Sequence, residues 1–191
     1  VIPMGHIEYV FAHRHSQPYP QEQFKVYGPL IKLPRVCEHK KIKYFYKFRT
    51  MHPYAEYIQQ YVFDARGGMD IADKSNDDWR ITTWGRFMRK YWLDELPMLI
   101  NWIKRDMKLV GVRPISKTMF DTYPEWLQEK RTLCKPGLIP PFYIDHPKTF
   151  DELFASEDKY LTEYLAHPFR TDVKYFFLTM WSILTRKTHS A

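Results

Sequence analysis

Only two cysteines occur among the 191 residues, Cys37 and Cys134. They lie far apart without metal-ligand spacing. That excludes a disulfide scaffold and a thiolate metal site and fits a reducing compartment. No stretch reaches the ~20 consecutive apolar residues that span a bilayer, and the longest candidate, Tyr175 to Leu184, is about half that. A glycine-rich phosphate loop, a Ser/His/Asp arrangement, internal repeats and low-complexity tracts are all absent. The eight histidines show no ligand pattern; His13 and His15 stand two apart in a polar stretch and are read as solvated.

What is present is apolar, aromatic and basic. Apolar residues make up 45% and aromatics 17%, which excludes a disordered chain. The 14 Tyr, 13 Phe and 6 Trp exceed the needs of a small core. Either the core is aromatic-rich or some rings face a membrane interface or a partner. A formal charge of +7 favours an anionic partner: nucleic acid, anionic lipid or a phosphorylated substrate. No helix-turn-helix, RNA-binding strand motif or zinc pattern supports the first, so nucleic acid is not an expected partner. The sequence opens on Val1, not Met, and is read as starting inside a longer protein.

Residues 5–12 alternate like a strand, and 13–23 read as a His-, Gln- and Pro-rich linker. Residues 1–27 are therefore assigned to the end of an upstream region plus a linker, and 28–191 to one domain. Two strands, 30–36 and 42–49, are joined by a polar turn; Pro34 makes the first an edge strand. Period two sets Lys47 and Arg49 on one face. A helix is expected over 53–65, closed by Gly67 and Gly68, with a polar loop to 78. Thr82 or Thr83 caps a short helix carrying Arg86 and Arg89. A central helix is expected over 95–105, with Leu96, Leu99, Ile100 and Ile103 on one stripe. Helix is expected over 116–132, interrupted at Pro124. An ordered loop at 135–141 follows, then a helix from the capping box at Thr149 and a last helix over 172–187. The fold class is α+β and helix-dominated, a small antiparallel β-hairpin packed with several short helices.

The densest chemistry lies in Arg89-Lys-Tyr-Trp-Leu-Asp-Glu-Leu-Pro97 and in Asp106 to Pro114. Asp94 and Glu95 are adjacent carboxylates at the start of an apolar-periodic segment, with arginines on both sides. Such a pair suits work on a phosphate with a divalent metal, although an N-cap and a first-turn acid have the same appearance.

Leu93-Asp-Glu-Leu-Pro97, the Asp106-Met107…Val110-Gly111…Arg113-Pro114 run and Tyr46-Lys-Phe-Arg-Thr-Met51 together resemble the bacterial sugar transferases, which load a phosphosugar onto a polyprenyl phosphate. The likeness extends from about Gly28 to Arg186, with the motifs in the family's order. The resemblance implies a phosphoglycosyl transferase of the monotopic type. Its nucleophile would be Asp94, with Glu95 as partner acid and Mg2+ ligand. Lys47, Arg49 and Arg113 would bind phosphate or nucleotide; Arg89, one helical turn from Arg86 on the same face and nearer Asp94, is assigned with them from its position. It also implies a nucleotide-diphosphate sugar donor, a polyprenyl phosphate acceptor and a membrane surface. The expected place is the cytoplasmic face of the bacterial inner membrane, held peripherally or through a region outside this chain.

Three departures from the family pattern stand out. Val112 replaces the usual first Pro of Gly-Pro-Arg-Pro, and Ile139-Pro140 replaces Thr-Gly after Lys135-Pro-Gly137. A polar, Pro-rich segment at 16–25 occupies the place of the family's apolar membrane helix. The last departure leaves room for a non-catalytic scaffold on the same fold. It also directs attention to the C-terminal helix, whose wheel gathers Val173, Phe176, Phe177, Met180, Trp181, Ile183 and Leu184 on one side. That side is expected either to lie in a headgroup layer or to dock on the domain's own core.

Overall fold

A computed structural model describes residues 2–4, 7–9, 28–56, 58 and 78–185. The linker at 13–23 and the glycines closing the expected 53–65 helix fall outside the described residues. Of that helix only the start is described, a 3-10 helix at Pro53–Glu56. The strand expected over 5–12 is half of a small antiparallel ribbon instead, β1 (Ile2–Met4) paired with β2 (Ile7–Tyr9).

The hairpin forms as expected. β3 (Leu30–Val36) pairs with β4 (Ile42–Phe48) through seven antiparallel positions from Leu30↔Phe48 to Val36↔Ile42. Period two sends Lys43, Phe45 and Lys47 to the same face, and Phe45 is buried there with Cys37, Met98 and Met107 in a small core. Pro34 is tolerated because each strand of a two-stranded sheet is an edge.

Helix α1 (Thr83–Lys90) begins where Thr82 accepts a hydrogen bond from the Gly85 N–H. This helix packs very closely on the end of the hairpin. A Cβ on Gly85 would lie 2.0 Å from the Thr50 carbonyl oxygen.

The central helix differs from expectation. Leu93–Glu95 is a 3-10 helix, and Pro97 is the N-cap of a short α2 (Met98–Ile103). Proline at the boundary lacks the N–H that a continuous helix would need. The apolar stripe exists, but it faces outward: Leu96, Leu99, Ile100 and Ile103 are exposed, Ile103 to 74%. The inward face holds Met98 and the fully buried Asn101. Asn101 accepts from the Tyr46 N–H (3.0 Å) and donates to the Tyr44 carbonyl (2.7 Å), so its amide completes the free edge of β4.

β5 (Lys108–Val110) runs parallel to β6 (Gly137–Ile139), where a loop was expected. Their approach explains the glycine of Lys-Pro-Gly, since a Cβ on Gly137 would meet the Gly111 nitrogen at 2.0 Å. Between these strands lie α3 (Lys117–Asp121) and α4 (Glu125–Arg131), separated at Pro124 as expected. Then α5 (Phe150–Ala166) starts at Thr149, which accepts from the Glu152 N–H, and α6 (Pro168–Leu184) closes the domain. The larger core contains Val110, Val112, Leu127, Leu153, Leu161 and Tyr175 from these elements.

α6 is inverted relative to an ordinary surface helix. Its buried positions are Thr171, Tyr175, Thr179 and Ser182, while Val173, Phe177, Trp181 and Leu184 are exposed, Trp181 to 69%. Docking of the apolar side on the domain's own core is therefore excluded for these four residues. No helix among the described residues is long and apolar enough to cross a membrane.

Candidate active site

The Leu93–Glu95 turn packs against both β4 and α1, and this brings the expected residues together. Asp94 is buried, 6% exposed, and Glu95 lies beside it. Lys47 reaches across from β4: its Nζ donates to Glu95 Oε1 at 2.6 Å and lies 4.0 Å from Asp94 Oδ2. Arg113 Nη2 donates to the same Glu95 oxygen at 3.2 Å. Arg89 adds positive potential at both carboxylates and is held by its Nε, which donates to Thr50 Oγ1 at 3.0 Å. Thr50 thus anchors α1 and orients Arg89 at once.

Arg49 is placed differently. β4 ends at Phe48, so the strand period stops before Arg49, whose Nε donates to the Gly28 carbonyl. It makes no ion pair with Asp94 or Glu95 among the described residues, and its Nη2 is buried without a hydrogen-bond partner.

The reading of Asp94 as a helix cap does not hold. The residue at the cap position is Trp92, in the left-handed region at φ 55°, and no side chain caps this turn. A bulky non-glycine residue there is strained, and neighbours hold it: Trp92 Nε1 donates to the Tyr143 hydroxyl at 3.3 Å, with the rings edge to face. Tyr143 is in turn tied to α6, where Ser182 Oγ donates to its carbonyl at 2.9 Å. Neither Trp92 nor Tyr143 was indicated by sequence. Nor was Arg35, which lines a small cavity of about 40 Å³ with Lys47, Glu95 and Arg113.

The two acids have opposite protonation tendencies. Burial pushes the Asp94 carboxyl above its ordinary range, with Lys47 opposing and Glu95 reinforcing the rise. Burial acts the same way on Glu95, but Lys47 and Arg113 outweigh it and hold that carboxyl below its ordinary range. Lys47 is itself lowered by burial, against the pull of Glu95. The result is one firmly ionised, doubly paired acid beside a more basic one whose Oδ1 is buried without a hydrogen-bond partner. Among the described residues no cluster of three or more His, Cys, Asp or Glu could hold a metal. Two adjacent carboxylates with an orphaned oxygen do fit Mg2+, which takes one or two carboxylates and fills the rest of its sphere with water and substrate phosphate.

Two adjacent carboxylates are thus gathered with three cations from separate parts of the fold: Lys47 of β4, Arg89 of α1 and Arg113 of the loop after β5. Comparison with known proteins gives the family. The model of the bacterial sugar transferase family matches residues 23–186. The chain is 34% identical over 161 residues to the galactosyl transferase CpsE of Streptococcus agalactiae serotype III, covering 82% of this chain and 35% of CpsE. It is 38% identical over 108 residues to the undecaprenyl-phosphate galactose phosphotransferase of Salmonella typhimurium, covering 54% of this chain and 22% of that protein. A third relative is the UDP-glucose:undecaprenyl-phosphate glucose-1-phosphate transferase of Caulobacter vibrioides, 36% identical over 94 residues, 48% of this chain and 31% of that one. The chain spans about a third or less of the length of these relatives. The chain belongs to the bacterial sugar transferase family.

Proposed function

We propose that this domain transfers a sugar-1-phosphate from a nucleotide-diphosphate sugar to a polyprenyl phosphate, through a covalent aspartyl-phosphosugar. The observation that carries the proposal is the asymmetry of the dyad. Glu95 is occupied by Lys47 and Arg113, whereas the Asp94 carboxylate is the more basic and retains an unpartnered oxygen. In the first half-reaction an Asp94 oxygen attacks the β-phosphorus of the donor. The bond from that phosphorus to the bridging oxygen breaks, and a nucleoside monophosphate leaves with the electron pair. In the second, a polyprenyl phosphate oxygen attacks the same phosphorus. The bond to Asp94 breaks, the carboxylate is regenerated, and the sugar is carried on a polyprenyl diphosphate.

The diphosphate repels an attacking carboxylate, so positive charge has to be in place beforehand. Lys47, Arg89 and Arg113 supply it; Arg113, with its planar fork, suits two oxygens of one phosphate. Mg2+ held by Glu95 would neutralise further phosphate charge. Arg49, which faces Gly28 instead of the dyad, is assigned to the nucleotide end of the donor, where its unpartnered Nη2 would find an acceptor.

The acceptor is lipid-linked, and the outward apolar faces of α1, α2 and α6 support attachment to a membrane surface. On α1 and at its C-cap, Trp84, Phe87 and Tyr91 form an exposed aromatic row: Trp84 stacks on Phe87 at 5.2 Å, and Phe87 lies tilted against Tyr91 at 5.1 Å. Aromatic rings flanked by Lys and Arg suit a helix lying in the headgroup layer. Relatives named for undecaprenyl phosphate support a polyprenyl phosphate acceptor, and the working place we assign is the cytoplasmic face of the bacterial inner membrane.

The test is a screen of nucleotide sugars without acceptor. The expected result is a burst of one nucleoside monophosphate per enzyme with the right donor, and steady turnover only after polyprenyl phosphate is added. Release that strictly requires both substrates would remove the covalent route.

A further inference from the structure

We propose that Arg131 and Glu157 are positioning residues for Arg113, fixing through its backbone the guanidinium that reaches the dyad. This rests on the phosphate-binding role given to Arg113 above. Arg131 ends α4 and Glu157 lies mid-way along α5; they are 6% and 1% exposed. Arg131 uses its two terminal nitrogens for two tasks. Nη1 donates to Glu157 Oε2, and Nη2 donates to the carbonyl oxygen of Arg113 at 2.7 Å. Glu157 is satisfied on its other oxygen by the Tyr123 hydroxyl at 3.4 Å, and the Tyr123 ring lies 4.7 Å from the Arg131 guanidinium carbon.

The Arg113 backbone is thus pinned on both sides. The preceding carbonyl, of Val112, accepts from the Gly137 N–H at 2.9 Å. From between these two anchors the Arg113 side chain extends to within 3.2 Å of Glu95. In this sequence Val112 stands where the family pattern has a stiff Pro, so the loop depends more on its anchors. A buried ion pair is an expensive way to fill a core, because desolvation offsets its attraction. What an apolar pair could not supply is the second arm onto the Arg113 carbonyl. Lysine could not supply it either: an ammonium is one point and cannot span both acceptors in the same geometry.

The test is a double-mutant cycle with R131K and R113A, and with the packed apolar variant R131M/E157L in place of R131K. Positioning predicts that R131K lowers kcat/KM for the donor on the order of 10- to 100-fold, as displacement of a binding group does. In the R113A background it should cost nothing further, because the group it acts through is gone. R131M/E157L, which leaves the Tyr123 hydroxyl without its acceptor, should show the same kinetic loss in a protein that still melts cooperatively, which covers the case in which R131K does not fold. Multiplicative losses in the R113A background, or wild-type kcat/KM in R131M/E157L, overturn the proposal. A crystal structure of either variant gives a second readout. The Arg113 Nη2 to Glu95 Oε1 separation should exceed 3.2 Å, and an unchanged contact overturns the proposal even if no donor is turned over. Failure of wild-type protein with every nucleotide sugar would instead refute the reading of the site as a transferase.

Discussion

At the scale of single residues, the acids behave differently enough to be separated by pH. Glu95 has a folded-state pKa below its ordinary value. Its stabilising contribution is therefore complete above that value and is lost as pH falls through the folded one. Asp94 has the opposite sign: folding favours its protonated form, so its ionisation destabilises the fold as pH rises from the ordinary range through the raised value. Asp94→Asn is accordingly expected to keep or increase Tm at pH 7 while abolishing transfer. Glu95→Gln weakens the contacts of Lys47 and Arg113, and should lower Tm at pH 7, with the gap to wild type closing towards acid pH. Thermal melts of both variants from pH 3 to 8 check this. The thiols give a second residue-level outcome. Burial pushes Cys37 up to about 12 and Cys134 to about 11, leaving thiolate fractions on the order of 10⁻⁴ and 10⁻³ at pH 8. Neither should be alkylated by iodoacetamide in the native state, and both should be labelled in urea. Asp94, Glu95, Lys47 and Arg113 were legible because short motifs place them, and Arg89 because it precedes Asp94 closely on a predicted helix face. Arg131, Trp92 and Tyr143 were not, because a contact from α4 to a turn, or from one loop ring to another, leaves no local pattern.

At the scale of elements, period and punctuation gave the β3–β4 hairpin, the Thr82 and Thr149 caps and the break at Pro124. Two features escaped. The parallel pairing of β5 with β6 joins residues far apart in sequence, and three-residue strands have too few positions to show alternation. The facing of α2 escaped because period alone does not say whether an apolar stripe is turned inward. The buried Asn101, which holds the β4 edge, reverses the usual assignment. Gly137→Ala tests the close element contact: its Cβ would overlap the Gly111 backbone, so a loss above about 3 kcal/mol is expected from denaturant melts. A loss near zero would mean that β5 and β6 are not so close. For α6, removal of the whole helix is a poor experiment, since Asp172 pairs with Lys108 and Ser182 holds Tyr143. Substituting Phe177, Trp181 and Leu184 together by Ser leaves those contacts intact. That variant should keep its Tm and lose most binding to anionic liposomes in co-sedimentation. Full binding would refute the role given to the outward face.

At the scale of the whole molecule, the hairpin, α1 and the Arg113 loop converge on one turn, and α1, α2 and α6 turn apolar residues outward. Under the proposed attachment the +7 charge and those helices act together at an anionic bilayer, so vesicle binding should weaken with salt without vanishing, because the apolar contribution is not screened. The central claim is that Asp94 carries the sugar phosphate between donor and acceptor. Its most direct test is mass spectrometry of the intact protein and its peptides after acid quench of a donor-only reaction. The account predicts a mass increase equal to one phosphosugar, located on the peptide containing Asp94, absent in Asp94→Asn and discharged by polyprenyl phosphate. Catalytic transfer by wild-type protein with no such adduct on Asp94, or with the adduct on another residue, would contradict it.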